Sequence, residues 1–141
     1  GEILPYHENK ISLDKNKKDK WGLPVLAMDA EIKENEIKMR KDMMEDMKEM
    51  LEKAGVKNAH TFDSTYYMGQ GIHEMGTARM GKDPKSSVLN GHNQVWEAPN
   101  VYVTDGACMA SASCVNPSLT YMALTARAAD HAVSELKKGN I

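Results

Sequence analysis

The sequence has few aromatic residues and no long apolar run, and each shortage narrows the possible structures. Aromatic side chains make up 6% of the 141 residues, so a core must be built from aliphatic side chains and from some of the eleven methionines. Methionine fills irregular gaps without specifying them tightly. No apolar run approaches the roughly 20 residues that a membrane-spanning helix needs. The sequence therefore predicts no membrane span in this segment.

An excess of positive charge is also missing. Eighteen Lys and Arg residues against twenty Asp and Glu residues leave a net charge of −2. Nucleic-acid-binding surfaces need clustered positive charge. The lysine-rich stretch at residues 15–20 is short and interrupted by Asp19, so we interpret it as a solvated turn, with a polyanion site as the alternative. No nucleic-acid partner is expected.

Nothing in the sequence defines the cellular compartment. Cys108 and Cys114 can pair only if a tight loop brings them together, and two thiols are too few for a soft-metal site. We interpret them as two free thiols, which leaves the redox compartment open. The chain begins with Gly1 and has no signal peptide. We expect it to be a piece of a longer protein, whether cytoplasmic or periplasmic.

Hydrophobic periodicity in the first half predicts a hairpin and a helix. Short apolar runs at residues 11–13 and 24–28, separated by turn signals, predict paired β-strands. One-sided apolar spacing over residues 35–54 predicts an amphipathic helix that Asn35 caps and Gly55 ends. We interpret this helix as structural support, with a partner-binding helix as the alternative.

The second half predicts two short strands and a well-marked helix. The strands are expected at residues 59–62 and 101–104. In the last helix Asn116 occupies the N-cap, Pro117 the first turn and Gly139 the end. Its narrow apolar stripe contains many alanines, which implies close approach to another layer of structure.

His73 is a candidate proton acceptor. It lies in a glycine-rich loop, and a neutral imidazole can accept a proton from an alcohol near neutral pH. A lone histidine in such a loop is otherwise unremarkable, so His73 gains interest from its order with Asn116. No metal site is predicted, because no metal-ligand spacing links His73 to the other histidines, which are His7, His60, His92 and His131.

Asn116 has two interpretations. It can cap its own helix, or it can turn its amide towards a substrate oxygen. The first N–H groups of a helix lack internal partners and carry partial positive charge, which favours a group that becomes negative during a reaction. The strand ending at Asp105 and Gly106 favours the second interpretation, because strand ends of open α/β sheets bind ligands.

Several motifs in order resemble one enzyme family. Residues 73–81, HEMGTARMG, resemble the His-x-x-Gly-Thr-x-Arg-Met-Gly stretch of glucose–methanol–choline (GMC) oxidoreductases. Residues 99–107, PNVYVTDGA, and residues 116–120, NPSLT, continue the same C-terminal pattern. The specific match covers about residues 71–135. Residues 1–70 are similar to the end of the substrate domain in sugar-oxidising bacterial members.

The resemblance implies an α+β fold and a flavoenzyme. Residues 1–70 would form part of an antiparallel-sheet substrate-binding domain, and residues 71–141 a catalytic, flavin-contacting segment that completes an FAD-binding α/β domain. The enzyme would oxidise a CH–OH group of a sugar, a glycoside or another alcohol. The family's N-terminal glycine-rich turn is absent, so the chain needs the missing FAD-binding part of its protein and is expected to be inactive alone. The electron acceptor stays open between oxygen, a quinone and a cytochrome.

The resemblance also assigns roles to residues. His73 would remove the hydroxyl proton as hydride passes to flavin N5, and Asn116 would hydrogen-bond the same oxygen. The residues matched to flavin contacts are Asp105, Gly106, Ala107, Pro117 and Ser118. Arg79 and Asp83 are interpreted as loop-fixing, and Tyr66 and Tyr67 as neighbours of the substrate.

The alternative is a non-catalytic binding or assembly module that retains this tail. An enzyme fragment should expose an apolar face meant for the missing FAD domain, whereas a module should bury its own stripes. The alanine-rich stripe at residues 119–136 favours the fragment.

Overall fold

A computed structural model describes residues 1–64 and 67–141, so Thr65 and Tyr66 lie outside the described residues. The chain forms two compact units, residues 1–70 (unit 1) and residues 71–141 (unit 2). Within the described ranges they contain short antiparallel strands and two long helices, which confirms the α+β class. The functions assigned to the two segments stay predictions.

Unit 1 begins with the expected hairpin, whose strands are longer than predicted. Strand β1 (Lys10–Lys18) pairs antiparallel with β2 (Pro24–Asp29), and its register changes after Leu13. The interpretation of residues 15–20 as a turn is therefore wrong for most of that stretch. Lysines fit an exposed strand because their charged ends stay in water. The turn begins at Asp19, whose carboxylate accepts hydrogen bonds from the backbone N–H groups of Trp21 and Leu23.

The first helix, α1 (Glu34–Lys53), lies close to its predicted position but starts differently. Its N-cap is Lys33, and the Asn35 side chain donates to Glu36 Oε1, so the predicted Asn35 cap is wrong. Gly55 adopts a left-handed φ of 88° just beyond the helix, as predicted. The only buried residue of α1 is Glu36, and the apolar stripe remains largely exposed.

Glu36 joins the N-terminal segment to the start of α1. Its carboxylate accepts hydrogen bonds from the backbone N–H groups of Leu4 (3.2 Å) and Lys33 (3.1 Å) and from the Tyr6 hydroxyl (3.1 Å). Burial would raise the pKa of this carboxyl, but hydrogen bonds from Asn35 and the two backbone amides outweigh burial and lower its pKa to about 2. Glu36 is therefore a charged group at the centre of unit 1.

The strand predicted at residues 59–62 does not form. This stretch has no partner in either sheet, and a strand needs a neighbour to satisfy its backbone groups. Ala59 is buried instead as an isolated side chain. Arg40 of α1 anchors the segment that follows through an ion pair with Asp63.

The strands of unit 2 also differ from the prediction. β3 (Gln94–Val95) pairs antiparallel with β4 (Ala98–Tyr102), which starts three residues earlier than predicted, ends two residues earlier and is mostly exposed. Pro99 is tolerated because β4 has one strand neighbour, so an N–H is not required on its other side.

Unit 2 is organised around Asn93, whose side chain is fully buried. Asn93 has a left-handed φ of 65°, a conformation that asparagine tolerates better than most residues. Its Nδ2 donates to the Val103 carbonyl (3.0 Å), and its Oδ1 accepts from the Arg127 guanidinium (3.1 Å). One side chain thus links the loop before β3, the segment after β4 and the last helix.

The last helix, α2 (Ser118–Lys138), ends at Gly139, which has a left-handed φ of 74°, as predicted. Ala128 is its one buried residue. The rest of its apolar stripe is mostly exposed, including Leu119, Met122, Val133 and Leu136. No helix within residues 1–64 and 67–141 is long and apolar enough to cross a membrane.

Candidate functional site

His73 and Asn116 are in direct contact in unit 2. The distance between His73 Nε2 and Asn116 Oδ1 is 2.9 Å, although the two residues are 43 positions apart. The His73 side chain is half-buried and Asn116 is exposed, so the pair remains open to a ligand. The structure therefore brings together the two residues that the sequence selected separately.

The second ring nitrogen of His73 defines the tautomer. His73 Nδ1 lies 2.8 Å from the carbonyl oxygen of Ile72, which can only accept, so this contact favours the tautomer with the proton on Nδ1. In the neutral ring, Nε2 then carries a lone pair. Because amide nitrogen and oxygen atoms are assigned from their partners, Asn116 can donate from its nitrogen to the neutral ring or accept with its oxygen from the imidazolium. The pair suits both protonation states.

The loop before His73 is strained. Ile72 has a φ of 55°, which is unusual for a β-branched residue, and such a conformation costs about 1–3 kcal/mol. Burial does not hold it, because the Ile72 side chain is 86% exposed. Two residues further on, Glu74 Oε1 accepts a hydrogen bond from the backbone N–H of Gly71 at 2.6 Å. That bond closes the loop around Ile72 and His73.

Asp105 and Ala107 form a turn attached to the segment after His73. Asp105 Oδ1 accepts from the backbone N–H of Ala107 (2.9 Å) and caps a short 3₁₀ helix, Gly106–Cys108. The carbonyl oxygen of Ala107 accepts from Ala78 N (3.0 Å), and that of Cys108 accepts from Met80 N (2.9 Å). The predicted flavin-contacting turn and the segment that follows His73 therefore form one hydrogen-bonded structure.

Gly106 lies at a tight contact within that structure. A Cβ atom on Gly106 would be 3.0 Å from the Glu74 carbonyl oxygen and 3.0 Å from the Tyr121 hydroxyl. The Tyr121 hydroxyl also contacts Met75 Sδ at 3.8 Å. Glycine thus allows the His73 loop, this turn and α2 to pack closely against one another.

The N-cap of α2 is not the residue that the sequence predicted. Pro117 is buried and occupies the N-cap, so the predicted N-cap role of Asn116 is wrong. Asn116 instead directs its amide to His73. No side chain caps the helix within the described ranges, which leaves the partial positive charge of its first turn uncompensated at exposed Ser118.

Arg79 and Asp83 have the loop-fixing positions that were expected. The Arg79 guanidinium donates to the carbonyl oxygen of Ser86, while Asp83 accepts from Lys85 N (2.9 Å) and Ser87 Oγ (2.9 Å). These bonds shape the loop between the His73 segment and β3.

The two cysteines are free and differ in exposure. Cys108 is 1% exposed, and burial, followed by the charge of Asp105, raises the pKa of its thiol. Cys114 is exposed, two positions before Asn116. Tyr67, expected near the substrate, is 80% exposed.

Sequence reasoning missed Asn93, Glu74 and Tyr121 as organising residues of unit 2. Asn93 belongs to an ordinary turn signal with Asn90 and Gly91, and composition does not reveal that its side chain is buried. Glu74 and Tyr121 act through contacts with residues on other segments. A local sequence pattern carries no signal for contacts of this kind.

Comparison with known proteins identifies relatives over almost the whole chain. Residues 5–125 match the profile of the family described as GMC oxidoreductase. The chain is 36% identical over 133 residues to a 2-methyl-1,2-propanediol dehydrogenase of Mycolicibacterium austroafricanum, covering 93% of this chain and 24% of that protein.

Two further relatives show the same pattern of coverage. The chain is 35% identical over 133 residues to a gluconate 2-dehydrogenase flavoprotein of Pantoea cypripedii, covering 89% of this chain and 21% of that protein. It is 30% identical over 138 residues to a fructose dehydrogenase large subunit of Gluconobacter japonicus, covering 98% of this chain and 25% of that protein. The chain spans about a quarter of the length of these relatives. By the profile match and these similarities, the chain belongs to the GMC oxidoreductase family.

Proposed function

We propose that the chain is part of an FAD-dependent oxidoreductase that oxidises a CH–OH group, with sugars or glycosides as the substrate class. The observation that carries the proposal is the 2.9 Å contact between His73 and Asn116 at an open surface of unit 2. The names of the relatives support the substrate class, since they include a fructose dehydrogenase and a diol dehydrogenase. The electron acceptor is left open.

His73 is the proposed proton acceptor. Its Nδ1–H would donate to the Ile72 carbonyl, which leaves on Nε2 a lone pair that a substrate hydroxyl would take over from Asn116. Asn116 would donate from its amide nitrogen to the same oxygen and stabilise negative charge that develops there. The two groups would thus hold a hydroxyl in one position, with one group removing the proton and the other steadying the oxygen.

The residues around the pair suit a flavin. Bound FAD would supply the hydride acceptor. The start of α2 at Pro117 and Ser118 presents uncompensated partial positive charge, which suits the edge of a ring that becomes negative on reduction. The turn formed by Asp105, Gly106 and Ala107 would hold the cofactor from the adjoining segment.

The exposed face of α2 favours an enzyme segment over a self-contained module. Leu119, Met122 and Leu136 are 79%, 68% and 64% exposed. A contiguous apolar surface of this kind usually marks an interface. We propose that the FAD-binding part of the same protein covers this face. The non-catalytic module would instead be expected to bury it.

An anaerobic absorption spectrum of the complete protein tests the proposal. A sugar or another alcohol should bleach the oxidised-flavin bands of the wild type. The His73→Ala variant should retain its flavin but be reduced about 10³-fold more slowly, within the range for loss of a general base. His60→Ala, which changes an exposed histidine of unit 1, should be reduced at the wild-type rate.

Two outcomes would contradict the proposal. A complete protein that stays colourless after FAD is supplied would favour the non-catalytic module. Flavin reduction in His73→Ala within a few-fold of the wild type would remove His73 from the proton transfer, even if the enzyme class were correct.

A further inference from the structure

The loop from Gly71 to Glu74 combines a strained backbone with two short hydrogen bonds next to His73. We infer that Ile72 and Glu74 are positioning residues for His73: the Ile72 carbonyl selects the tautomer with a free Nε2, and the Glu74 carboxylate holds that carbonyl in place. This inference rests on the proposed function of His73 as a proton acceptor, which it deepens.

The first step concerns the tautomer. A neutral imidazole carries its proton on one of its two nitrogens. A hydrogen bond from one nitrogen to an acceptor decides which nitrogen that is. Only a ring protonated at Nδ1 can accept a hydroxyl proton at Nε2, the nitrogen that faces Asn116. The Ile72 carbonyl, 2.8 Å from Nδ1, is the acceptor that selects this form. It acts as the orienting carboxylate does in other catalytic histidine sites.

The second step concerns Ile72 itself. The orientation of its carbonyl depends on a backbone conformation with a φ of 55°, which a β-branched residue rarely adopts. Its side chain is 86% exposed and contributes little packing to hold that conformation. The strain must therefore be opposed by bonds made elsewhere in the loop.

The third step identifies those bonds. On one side of Ile72, the backbone N–H of Gly71 donates to Glu74 Oε1 at 2.6 Å, which closes a four-residue ring. On the other side, Met75 contacts the Tyr121 hydroxyl at 3.8 Å and so anchors the loop to α2. Glu74 is the tie that lies beside Ile72, and its removal leaves the strained residue held from one side.

Substitutions at Glu74 distinguish the effect of its hydrogen bond with Gly71 from the effect of its negative charge. Glu74→Ala removes the acceptor for Gly71 N–H. Glu74→Gln removes the charge but keeps a side-chain oxygen that can accept the same bond. Glu97→Ala is a matched control, because Glu97 is an exposed glutamate in another loop of unit 2.

The experiment uses the complete flavoprotein with two independent readouts. The first is the limiting rate of anaerobic flavin reduction together with the substrate dissociation constant. The second is the ¹⁵N spectrum of protein labelled at histidine, in which the His73 signals are those lost in His73→Ala. The spectrum reports which ring nitrogen carries the proton without requiring turnover.

We expect the wild type to show Nδ1-protonated His73. Glu74→Ala should show mixed tautomers and a limiting rate about tenfold lower, because small displacements of a catalytic group reduce rates to this extent or more. Its substrate dissociation constant should stay near the wild-type value. Glu74→Gln should recover most of the rate and the single tautomer, and Glu97→Ala should match the wild type in both readouts.

Several results would overturn the inference. An Nε2-protonated His73 in the wild type would contradict the role of the Ile72 carbonyl, whatever the variants do. Wild-type rate and tautomer in Glu74→Ala would remove Glu74 from positioning. A Glu74→Gln variant as impaired as Glu74→Ala would show that charge, not the tie, matters. Failure of every alcohol to reduce the wild-type flavin would refute the proposed function instead, while the ¹⁵N spectrum would still decide the tautomer.

Discussion

The two units of the chain are each organised around one buried polar side chain. In unit 1 this residue is Glu36, which is 2% exposed, and in unit 2 it is Asn93, which is fully buried. Each satisfies groups from segments that are distant in sequence. Buried polar groups of this kind are costly unless they are fully hydrogen-bonded. In both units the buried apolar side chains are few, so the polar residue has a large share in defining the packing.

Glu36 and Asn93 differ in their hydrogen-bonding chemistry and in the groups that they hold together. A carboxylate only accepts, so Glu36 gathers N–H and O–H donors and brings a charge into unit 1. An amide both donates and accepts, so Asn93 joins a carbonyl to the Arg127 guanidinium without a charge of its own. Arg127 also contacts Met80 Sδ at 3.5 Å, and Met80 N donates to the Cys108 carbonyl, so the Asn93 network reaches the short 3₁₀ helix that Asp105 caps. A neutral side chain thus organises unit 2, and a charged one organises unit 1.

The largest expected effect is on Asn93. Asn93→Ala would leave the Val103 carbonyl and the Arg127 guanidinium without their partner and place alanine in a left-handed conformation. We expect unit 2 to lose about 3 kcal/mol of stability, the sum of unsatisfied buried groups and backbone strain. Hydrogen–deuterium exchange of peptides covering residues 88–108 in the complete protein would measure this loss.

Asn93→Gly is the matched control for the backbone contribution. Glycine accepts a positive φ without strain but lacks the side-chain amide. This variant should therefore be destabilised less than Asn93→Ala, but it should still be clearly less stable than the wild type. Unchanged exchange in both variants would show that Asn93 does not organise unit 2.

Asn116 tests whether the site depends on a neutral donor. Asn116→Asp replaces the amide with a negatively charged acceptor beside the substrate oxygen that, in the proposed mechanism, loses its proton. We expect the limiting rate of flavin reduction to fall about 10²-fold, the usual effect of losing one donor to a developing oxyanion. Stopped-flow reduction under anaerobic conditions would measure it, and unimpaired reduction would show that Asn116 has no role in catalysis.

Glu36 makes a smaller, pH-dependent contribution. Its folded-state pKa of about 2 lies below the ordinary 4.5, so its contribution to stability is present above pH 4.5 and is lost as the pH falls towards 2. Glu36→Gln should lower the thermal midpoint at pH 7 by several degrees, and the difference from wild type should shrink below pH 4.5.

Glu45→Gln provides the comparison for Glu36, because Glu45 is exposed on the same helix. The thermal midpoint of Glu45→Gln should be near that of the wild type at pH 7 and at pH 2.5. A constant difference between Glu36→Gln and wild type from pH 7 to pH 2.5 would contradict the role of a charged Glu36.

The smallest effect distinguishes the two thiols of unit 2. Cys108 is buried with a raised thiol pKa, whereas Cys114 is exposed. A thiol reagent should therefore modify Cys114 at least about tenfold faster than Cys108 in the native protein, since the thiolate is the reactive form. Mass spectrometry of digested samples over time would measure both rates. Equal rates would indicate that unit 2 opens readily around Cys108.

The sequence predicted those elements whose signals are local. The hairpin and the ends of the two helices at Gly55 and Gly139 follow from periodicity and from glycine conformations. The errors lie where a particular partner, and not the local pattern, decides the outcome. The stretch at residues 59–62 has strand-like residues but no partner strand. Asn35 and Asn116 are suitable caps by type, yet each directs its amide to a neighbouring side chain, Glu36 and His73 respectively.

By itself, the sequence determined the family motifs, the order of His73 and Asn116 along the chain, and the positions of the two long helices. Only the tertiary structure decided that these two side chains lie 2.9 Å apart, that the Ile72 carbonyl lies 2.8 Å from His73 Nδ1, and that Asn93 and Glu36 are buried. The physical reason is that periodicity and turn chemistry act over a few residues. The decisive partners of these residues often lie on segments far along the chain, such as the 34 positions between Asn93 and Arg127.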